Sequence, residues 1–492
     1  MTSPNNSLKS KALQGVAWSA IERLSSQAGQ FVIGIVLARI LMPEDFGLIG
    51  MLSIFIAISQ SLIDSGMGSG LVQKKNRTDI DFSTVFVFNF FVSILVYAIL
   101  FFCAPFIADF YEMPQLVLLT RVLTLNIIIN SLAIVQRTRL TINIDFKTIA
   151  KVNVVSVLLG GGIGISFAYA GFGVWALVFL NLFRTIISVI MLWFLSRWTP
   201  SLLFSRQSFK ELFGFGSKLL AAGIYAQTLN NIYNIVIGKA YSASDLGFYT
   251  KTKQFADITA GTVTSIMQQV TYPILASLQD DRSRMISVFS RLIRMSAFFI
   301  FPAMTMLSLL AEPFIRLILT EKWLPMVPLL QWMCFARIFY PLSVINMNIL
   351  NAIGRSDLFL KLDLSKCPLT VLALIITIPL GVKAMIIGHV VTSFLAFFMN
   401  AYLPGRLFGY GPLRQCEDIS KIIFATLGMA VVVFFSCRGI NSDIVKLVCG
   451  AVTGTASYFL FVYLLRIPEF DEVKQVAGKL CSKVVSKKAP MS

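Results

Sequence analysis

Charge is scarce in this 492-residue sequence. Only 13% of its residues are Asp, Glu, Lys or Arg, whereas about a quarter are charged in ordinary soluble domains. Hydrophobic residues make up 56% of the chain, and the mean hydropathy is +0.78. This composition excludes a water-soluble enzyme.

Histidine and paired cysteine are also scarce. The sequence has one histidine, His389, and its seven cysteines are scattered without a CxxC pair. These residues do not suffice for a metal site or a dense disulfide framework. The sequence has no P-loop and no long extramembrane segment that would hold a transferase site. We therefore expect no metal, no cofactor and no enzymatic activity.

Long uncharged stretches are abundant. Residues 85–107, 152–182, 385–403 and 447–465 each reach the roughly 18 to 20 apolar residues with which a helix spans a bilayer. Lipid offers no partners to backbone N–H and C=O groups, so each stretch must be helical. The predicted fold class is an all-α polytopic membrane protein. About fourteen transmembrane helices are predicted, at residues 12–40, 44–66, 81–109, 114–138, 146–170, 172–196, 208–240, 244–271, 284–319, 324–352, 356–380, 382–404, 415–437 and 442–466.

Basic residues concentrate in every second connection between these helices. Short cytoplasmic loops retain Lys and Arg, so this asymmetry predicts a multi-pass protein of the bacterial inner membrane with both termini in the cytoplasm. It also explains most of the +18 net charge without nucleic acid. The basic connections carry Lys9, Lys11, Lys74, Lys75, Arg77, Arg137, Arg139, Lys147, Arg197, Arg206, Lys210, Arg282, Arg284, Arg355, Arg406, Arg414 and Arg466.

An internal repeat divides the chain. LARILMPEDFGL at residues 37–48 aligns without a gap with IGKAYSASDLGF at residues 237–248. We predict an N-terminal lobe at residues 1–200 with helices 1–6 and a C-terminal lobe at residues 201–410 with helices 7–12. Helices 13 and 14 follow at residues 411–466, and a basic cytoplasmic tail at residues 467–492. Ser208 and Glu211 have the spacing of a capping box that opens the seventh helix.

Polar faces mark the first and seventh predicted helices, which the repeat relates. Such faces are costly against lipid, so we expect both to line a water-filled cavity between the lobes. Hydrogen bonding between packed helices is the alternative. The candidate cavity residues are Arg23, Gln27 and Gln30 of the first helix and Gln227, Asn230, Asn231 and Asn234 of the seventh.

Ionisable residues inside predicted helices are the strongest functional candidates, since burying them in a membrane is expensive. Basic ones dominate, which suits an anionic cargo such as a diphosphate-linked sugar. Some of them have the alternative of lying near helix ends and extending to the membrane surface. The basic candidates are Lys251, Lys253, Arg291 and Arg294. The candidates for ion coupling are Glu22, Asp64 and Asp257.

Three segments resemble a known family. They are LKSKALQGVAWSAIERLSSQAGQFVIGIVLARILMPEDFGLIGM, DSGMGSGLVQKK and GKAYSASDLGFYTKTKQFADI. They are similar to the polysaccharide flippases of the multidrug/oligosaccharidyl-lipid/polysaccharide superfamily, especially the colanic-acid exporter type. The resemblance implies a V-shaped fold of two six-helix lobes with two additional helices, and alternating access driven by an ion gradient.

The resemblance also implies the cargo and the partners. The cargo would be polyprenyl-diphosphate-linked repeat units of an O-antigen, capsule or exopolysaccharide, moved by a monomer in contact with membrane lipids and with polymerase machinery. Glu22, Arg23, Lys251 and Lys253 occupy places comparable to charged residues in the first and eighth helices of related lipid II flippases. An ion-coupled small-molecule exporter of the same superfamily is the alternative. A membrane glycosyl polymerase is a further alternative function.

Charge reversal at either of two basic positions is expected to stop transport. We predict that Arg23→Glu or Lys253→Glu abolishes polysaccharide export, because a carboxylate in the cavity repels an anionic cargo. Surface polysaccharide per cell measures export, and the amount of chain in the membrane is the control. Normal export by both variants would contradict a cation-lined cavity.

Overall fold

The computed structural model describes residues 4–64, 66–201 and 203–475, and this part of the chain is built from helices without a strand. The predicted all-α fold class is confirmed. The chain divides into two compact units, with the boundary between Thr250 and Lys251 in the sequence. The lobe boundaries at residues 200 and 410 stay predictions.

The first unit contains nine complete helices among its described residues and the start of a tenth. Their bounds are α1 (Pro4–Ile40), α2 (Pro43–Asp64), α3 (Met67–Gln73), α4 (Asp79–Tyr111), α5 (Leu116–Leu123), α6 (Leu125–Ile142), α7 (Phe146–Tyr169), α8 (Val174–Ser196), α9 (Arg206–Ala240) and α10 (Ala243–Ser277).

The second unit contains, in its described part, the remainder of α10, eight further helices and a helical stretch at residues 468–475. Their bounds are α11 (Arg282–Leu309), α12 (Ala311–Ile318), α13 (Val327–Ile338), α14 (Tyr340–Ala352), α15 (Ser356–Thr377), α16 (Val382–Phe408), α17 (Pro412–Cys437) and α18 (Asp443–Leu464). Short 3₁₀ turns lie at Glu321–Met326 and Ile378–Leu380.

Ten helical segments in the described part of the chain are long and apolar enough to cross a membrane. Four other helices of comparable length, α1, α9, α10 and α15, fall outside this group because they carry more polar or charged residues. With them the chain has the predicted fourteen long helical segments, and it is a multi-pass membrane protein. Three of the four polar helices, α1, α9 and α10, carry most of the predicted site residues.

Three predicted helices are each interrupted, a fourth break falls at the end of the predicted helix at 44–66, and the backbone explains two of the four breaks. Gly66 separates α2 from α3 with a φ of 68°, a left-handed conformation that glycine adopts without strain. The predicted helix at residues 324–352 becomes a 3₁₀ turn, α13 and α14, and its last break falls next to Pro341, which has no N–H to donate. The predicted helices at 114–138 and 284–319 break at Thr124 and Leu310.

The predicted capping box at the start of the seventh helix is wrong by three residues. Helix α9 begins directly after Ser205, whose Oγ accepts a hydrogen bond from the Ser208 N–H at 3.3 Å. Ser205 lies in extended backbone, as an N-cap residue does. Glu211 pairs instead with the Lys74 ammonium at 2.9 Å, and Lys74 also contacts Asp81 at 3.0 Å. The hydrogen bond to Glu211 is the main cause of a raised pKa at Lys74.

Glycines bring α7 close to its neighbours in the first unit. A Cβ atom on Gly160 would lie 2.9 Å from the Arg184 backbone N and 2.7 Å from the Arg184 Cβ. One turn later, a Cβ on Gly164 would lie 2.7 Å from the Leu180 Cβ. These contacts allow α7 and α8 to approach closely, as small residues do in membrane helix pairs.

Two neighbouring glycines of α7 offer a matched test of this packing. A Cβ on Gly162 would meet nothing within 4 Å, unlike a Cβ on Gly160. We predict that Gly160→Val destabilises the detergent-solubilised protein by about 1–3 kcal/mol, the usual cost of overpacking. The measurement is thermal unfolding, with Gly162→Val as the control. Equal losses of stability in the two variants would contradict the close packing.

The second unit joins the end of the chain to α11. The Arg294 guanidinium contacts Glu469 at 2.6 Å and Asp418 of α17 at 3.1 Å, and Arg291 contacts Glu472 at 2.9 Å. Glu469 is buried, so its pairing with Arg294 offsets the cost of taking a carboxylate out of water. These contacts place the first residues of the predicted basic tail. Residues 476–492 of that tail lie outside the described residues.

Candidate functional site

A polar cavity of about 770 Å³ lies within the first unit. Helices α1, α2, α3, α6, α7 and α8 surround it. Its polar lining is rich in amides and hydroxyls: Glu22, Ser26, Gln30, Gln60, Asp64, Ser69, Asn126, Asn130, Arg137, Thr138, Thr141, Asn153, Ser156, Asn181, Arg184, Thr185 and Ser188.

Helical spacing explains why these side chains converge. Residues three or four positions apart lie on the same face of a helix. Glu22, Ser26 and Gln30 follow this spacing in α1, and Asn126 and Asn130 follow it in α6. Each helix therefore turns one polar stripe toward the cavity and its apolar residues toward lipid or the protein core.

A hydrogen-bonded chain crosses the cavity wall. The Asn153 side-chain amide of α7 donates to Glu22 Oε1 of α1 at 2.6 Å. Arg137 of α6 donates through Nη2 to Asn153 Oδ1 at 3.3 Å. Asn153 thus links a carboxylate to a guanidinium, and three helices are held together by one amide.

The formal charges of the cavity lining balance. Arg137 and Arg184 supply two guanidinium groups, and Glu22 and Asp64 supply two carboxylates. The excess of basic residues expected from the sequence is therefore not located here. The cavity combines neutral hydrogen-bonding groups with charges of both signs.

A smaller cavity of about 420 Å³ lies in the same unit, at α2 and α9. Ser53, Ser61 and Gln227 line it. It shares Gln60 and Asp64 with the larger cavity, so the two spaces adjoin.

The structure brings four of the predicted site residues to these cavities. Glu22, Gln30 and Asp64 line the larger one, and Asp64 and Gln227 line the smaller one. Their roles in binding and ion coupling stay predictions.

The other predicted polar residues of the first unit lie elsewhere. Asn231 and Asn234 contact Ser53 of α2: Ser53 Oγ donates to Asn231 Oδ1 at 3.3 Å, and Asn234 Nδ2 donates to Ser53 Oγ at 2.9 Å. For Asn231 and Asn234 the structure therefore shows the alternative given above, hydrogen bonding between packed helices. Arg23, Gln27 and Asn230 are not among the residues lining either cavity.

The predicted basic residues of the second unit have separate surroundings. Lys251 is buried, and its ammonium donates to Gln254 Oε1 at 3.1 Å. Lys253 lies half-buried near the pair formed by Asp257 and Arg337, whose atoms are 2.7 Å apart. Arg291 and Arg294 form the ion pairs with the end of the chain described above.

A third cavity, of about 490 Å³, lies within the second unit. Arg337 and His389 line it, as does Lys366, which pairs with Asp363 at 3.0 Å. The predicted site residues of this unit are not among those lining it.

Arg137 is the main residue that the sequence reasoning missed. It was counted with a cytoplasmic connection because it lies next to the predicted helix end at residue 138, whereas α6 continues to Ile142. Asn126, Asn130 and Arg137 share one face of α6, and this spacing is the signal that would have found them.

The family becomes evident from a comparison with known proteins. Residues 36–328, more than half of the chain, match the family described as "polysaccharide biosynthesis protein". The chain belongs to this family. The predicted relationship to polysaccharide flippases is thereby confirmed.

Relatives cover much of the chain. The teichuronic acid biosynthesis protein TuaB of Bacillus subtilis is 25% identical over 87% of this chain and 89% of its own length. The lipopolysaccharide biosynthesis protein WzxC of Escherichia coli is 25% identical over 81% and 80%. The succinoglycan biosynthesis transport protein ExoT of Rhizobium meliloti is 25% identical over 66% of each chain.

Solved structures show the same fold. The lipid II flippase MurJ in an inward closed conformation superposes with a TM-score of 0.74, at 14% identity, over 91% of this chain and 98% of its own. An inward-facing multidrug transporter of the MATE family gives 0.62, at 16% identity, over 79% and 97%. Together with the family, this fold supports a membrane-transporter role.

The arginines of the larger cavity are expected to matter for transport. We predict that Arg137→Ala or Arg184→Ala lowers polysaccharide export about tenfold, because a hydrogen bond to a charged group contributes about 1.5–3 kcal/mol. Arg121→Ala is the matched control, since Arg121 of α5 stacks on Phe101 at 4.3 Å and is not among the cavity-lining residues. Equal export by all three variants would contradict a role for the cavity.

Proposed function

We propose that this protein is a flippase that moves polyprenyl-diphosphate-linked oligosaccharide repeat units across the bacterial inner membrane for surface-polysaccharide synthesis. The observation that carries the proposal is the amide-rich cavity of about 770 Å³ with two arginines in its wall. The family and its relatives named for teichuronic acid, lipopolysaccharide and succinoglycan synthesis support it.

The cavity suits the glycan part of such a cargo. Side-chain amides both donate and accept hydrogen bonds, so Asn126, Asn130 and Asn181 match the hydroxyl groups of a sugar. In this proposal the lipid tail remains in the bilayer, so moving it to the other leaflet exposes no apolar surface to water. Only the polar head then needs a path through the protein.

The two arginines, Arg137 and Arg184, suit the diphosphate part of the cargo. A guanidinium presents paired donors that match phosphate oxygens, and charge-assisted hydrogen bonds of this kind are the strong ones. Arg137 is held by Asn153, which is itself held by Glu22. In this proposal Glu22 and Asp64 offset the arginine charges before the cargo enters and release them to it afterwards.

Transport in this proposal follows the two repeat-related lobes predicted from the sequence, residues 1–200 and 201–410. Both termini lie in the cytoplasm, the cargo enters from that side, and movement of the lobes exposes it on the other. The coupling ion binds at one of the acidic candidates. The protein acts as a monomer that delivers its product to the polymerase machinery.

Gene deletion tests the function directly. We expect loss of surface polysaccharide and accumulation of lipid-linked repeat units on the cytoplasmic side of the inner membrane. Complementation with the native chain restores the polymer, and complementation with the double variant Arg137→Ala/Arg184→Ala does not. The side on which the lipid-linked glycan accumulates is measured with a membrane-impermeant lectin or glycosidase on oriented vesicles.

The same experiment distinguishes the flippase from the small-molecule exporter. Normal polysaccharide in the deletion strain, together with altered sensitivity to drugs or metabolites, would contradict the flippase and favour the small-molecule exporter. Loss of polymer with lipid-linked units already on the outer face would place the protein after translocation, as a polymerase is.

A further inference from the structure

Two cysteines lie near the closed end of the hairpin formed by α17 and α18. Cys437 is the last residue of α17, and Cys449 lies in the second turn of α18. Residues 438–442 join the two helices. Both cysteines are free thiols in the structure, and both are half-buried. The packing of the hairpin decides whether their sulfur atoms can meet.

Glycines set the register of this hairpin. A Cβ on Gly450 of α18 would lie 3.1 Å from Cys437 Sγ, and a Cβ on Gly454 would lie 2.9 Å from Val433 Cγ2. Four residues back along α17 thus correspond to four residues forward along α18, as in two antiparallel helices that approach closely through small residues. Cys449 immediately precedes Gly450, so this register places it at the level of Cys437.

The two thiols also make reciprocal contacts. The Cys437 thiol donates to the carbonyl O of Lys446 in α18, with Sγ and O 3.6 Å apart. The Cys449 thiol donates to the carbonyl O of Ser436 in α17, with Sγ and O 4.0 Å apart. Small polar side chains in helices commonly bond to a carbonyl of their own helix, whereas each of these thiols reaches the other helix. Ser436 adjoins Cys437, and Lys446 lies one turn before Cys449. Each sulfur is therefore directed toward the segment that carries the other.

The predicted sidedness puts this end of the hairpin outside the inner membrane. With both termini in the cytoplasm, the connection between the last two long helices lies on the opposite face. That compartment is oxidising in bacteria, and disulfides form and persist there. A pair of thiols that meet at this face therefore becomes oxidised, whereas a pair on the cytoplasmic face stays reduced.

We propose that Cys437 and Cys449 form a disulfide that joins α17 to α18 at the outer face of the membrane. The oxidant is a protein of the cell envelope that carries a reactive disulfide. One cysteine thiolate attacks that disulfide to give a mixed disulfide, and the second thiolate then displaces the oxidant as a dithiol. Two electrons and the two thiol protons pass to the oxidant, and one S–S bond remains in the chain. The proposal rests on the predicted sidedness and on no property of the cargo.

Peptide mapping of the native chain tests the bond. Cells are treated with N-ethylmaleimide before lysis, and the purified chain is digested with trypsin without reduction. Arg438 and Lys446 lie between the two cysteines, so the bond would hold together the tryptic peptides 422–438 and 447–466. We expect most of the protein to yield this linked pair, and dithiothreitol to separate it. Recovery of the two peptides unlinked, with maleimide on each cysteine, would overturn the proposal.

A shifted cysteine is the matched control. The variant Cys449→Ser/Val448→Cys keeps the number of cysteines, but the side chain at position 448 is 56% exposed instead of packed in the hairpin. We expect its cysteines at positions 437 and 448 to be recovered with maleimide. Linked peptides in equal amounts from this variant and from the native chain would show that the register of the hairpin does not select the bond, and would overturn the proposal.

Thermal unfolding gives a second measurement. A disulfide that closes the short loop 437–449 restricts the unfolded chain and so stabilises the folded one. We expect dithiothreitol to lower the unfolding temperature of the detergent-solubilised native chain and to leave that of Cys437→Ser unchanged. An equal effect of dithiothreitol on both chains would contradict the bond. These experiments detect a bond, whereas the deletion experiment measures polysaccharide, so the disulfide and the flippase can fail independently.

Discussion

Lipid cannot hydrogen-bond, and the architecture of this protein depends on that constraint. Backbone groups are satisfied by helices throughout the membrane, and polar side chains must find partners within the chain or in water-filled space. Both solutions occur here. Asn231 and Asn234 bind Ser53 on the neighbouring helix, whereas Asn126 and Asn130 turn toward a cavity. The same residue type thus serves packing on α9 and solvation on α6.

Close backbone approach is the second consequence of the membrane setting. Helices surrounded by lipid gain little from burying apolar side chains against each other, so contacts between small residues carry much of their association. Gly160 and Gly164 let α8 lie against α7, and through Arg184 this packing also fixes one guanidinium of the cavity. Gly47 and Gly247 use the same principle at the repeat-related turns. The glycines at these four positions therefore set how closely the helices approach each other.

The sequence predicted the fourteen long helical segments well, because the length of an apolar run and the Gly, Pro and polar residues at its ends are local properties. It also located the internal repeat, and in the structure a side chain at the same repeat position, Asp45 or Asp245, accepts hydrogen bonds in each of its two turns. The cavity was harder to predict from the sequence. Arg137 was counted with a basic connection because it lies at the end of the predicted helix, and the polar stripes of α6, α7 and α8 become a site only when six helices are packed. Rotation of each helix about its axis decides whether an amide such as Asn231 faces a cavity or a neighbour, and no local pattern encodes that rotation.

The uneven polarity of the long helices has a consequence for biogenesis. Most segments are apolar enough to partition into the bilayer as they are synthesised, but α9 and α10 are consecutive, long and polar. Polar faces on both helices are costly against lipid, so we expect the two to insert together as a hairpin and to shield these faces against helices already in place. Because α9 packs extensively against α2, the early part of the chain acts as the template on which this hairpin assembles. Synthesis order and final structure are thereby coupled: the first repeat must be in the membrane before the second can join it.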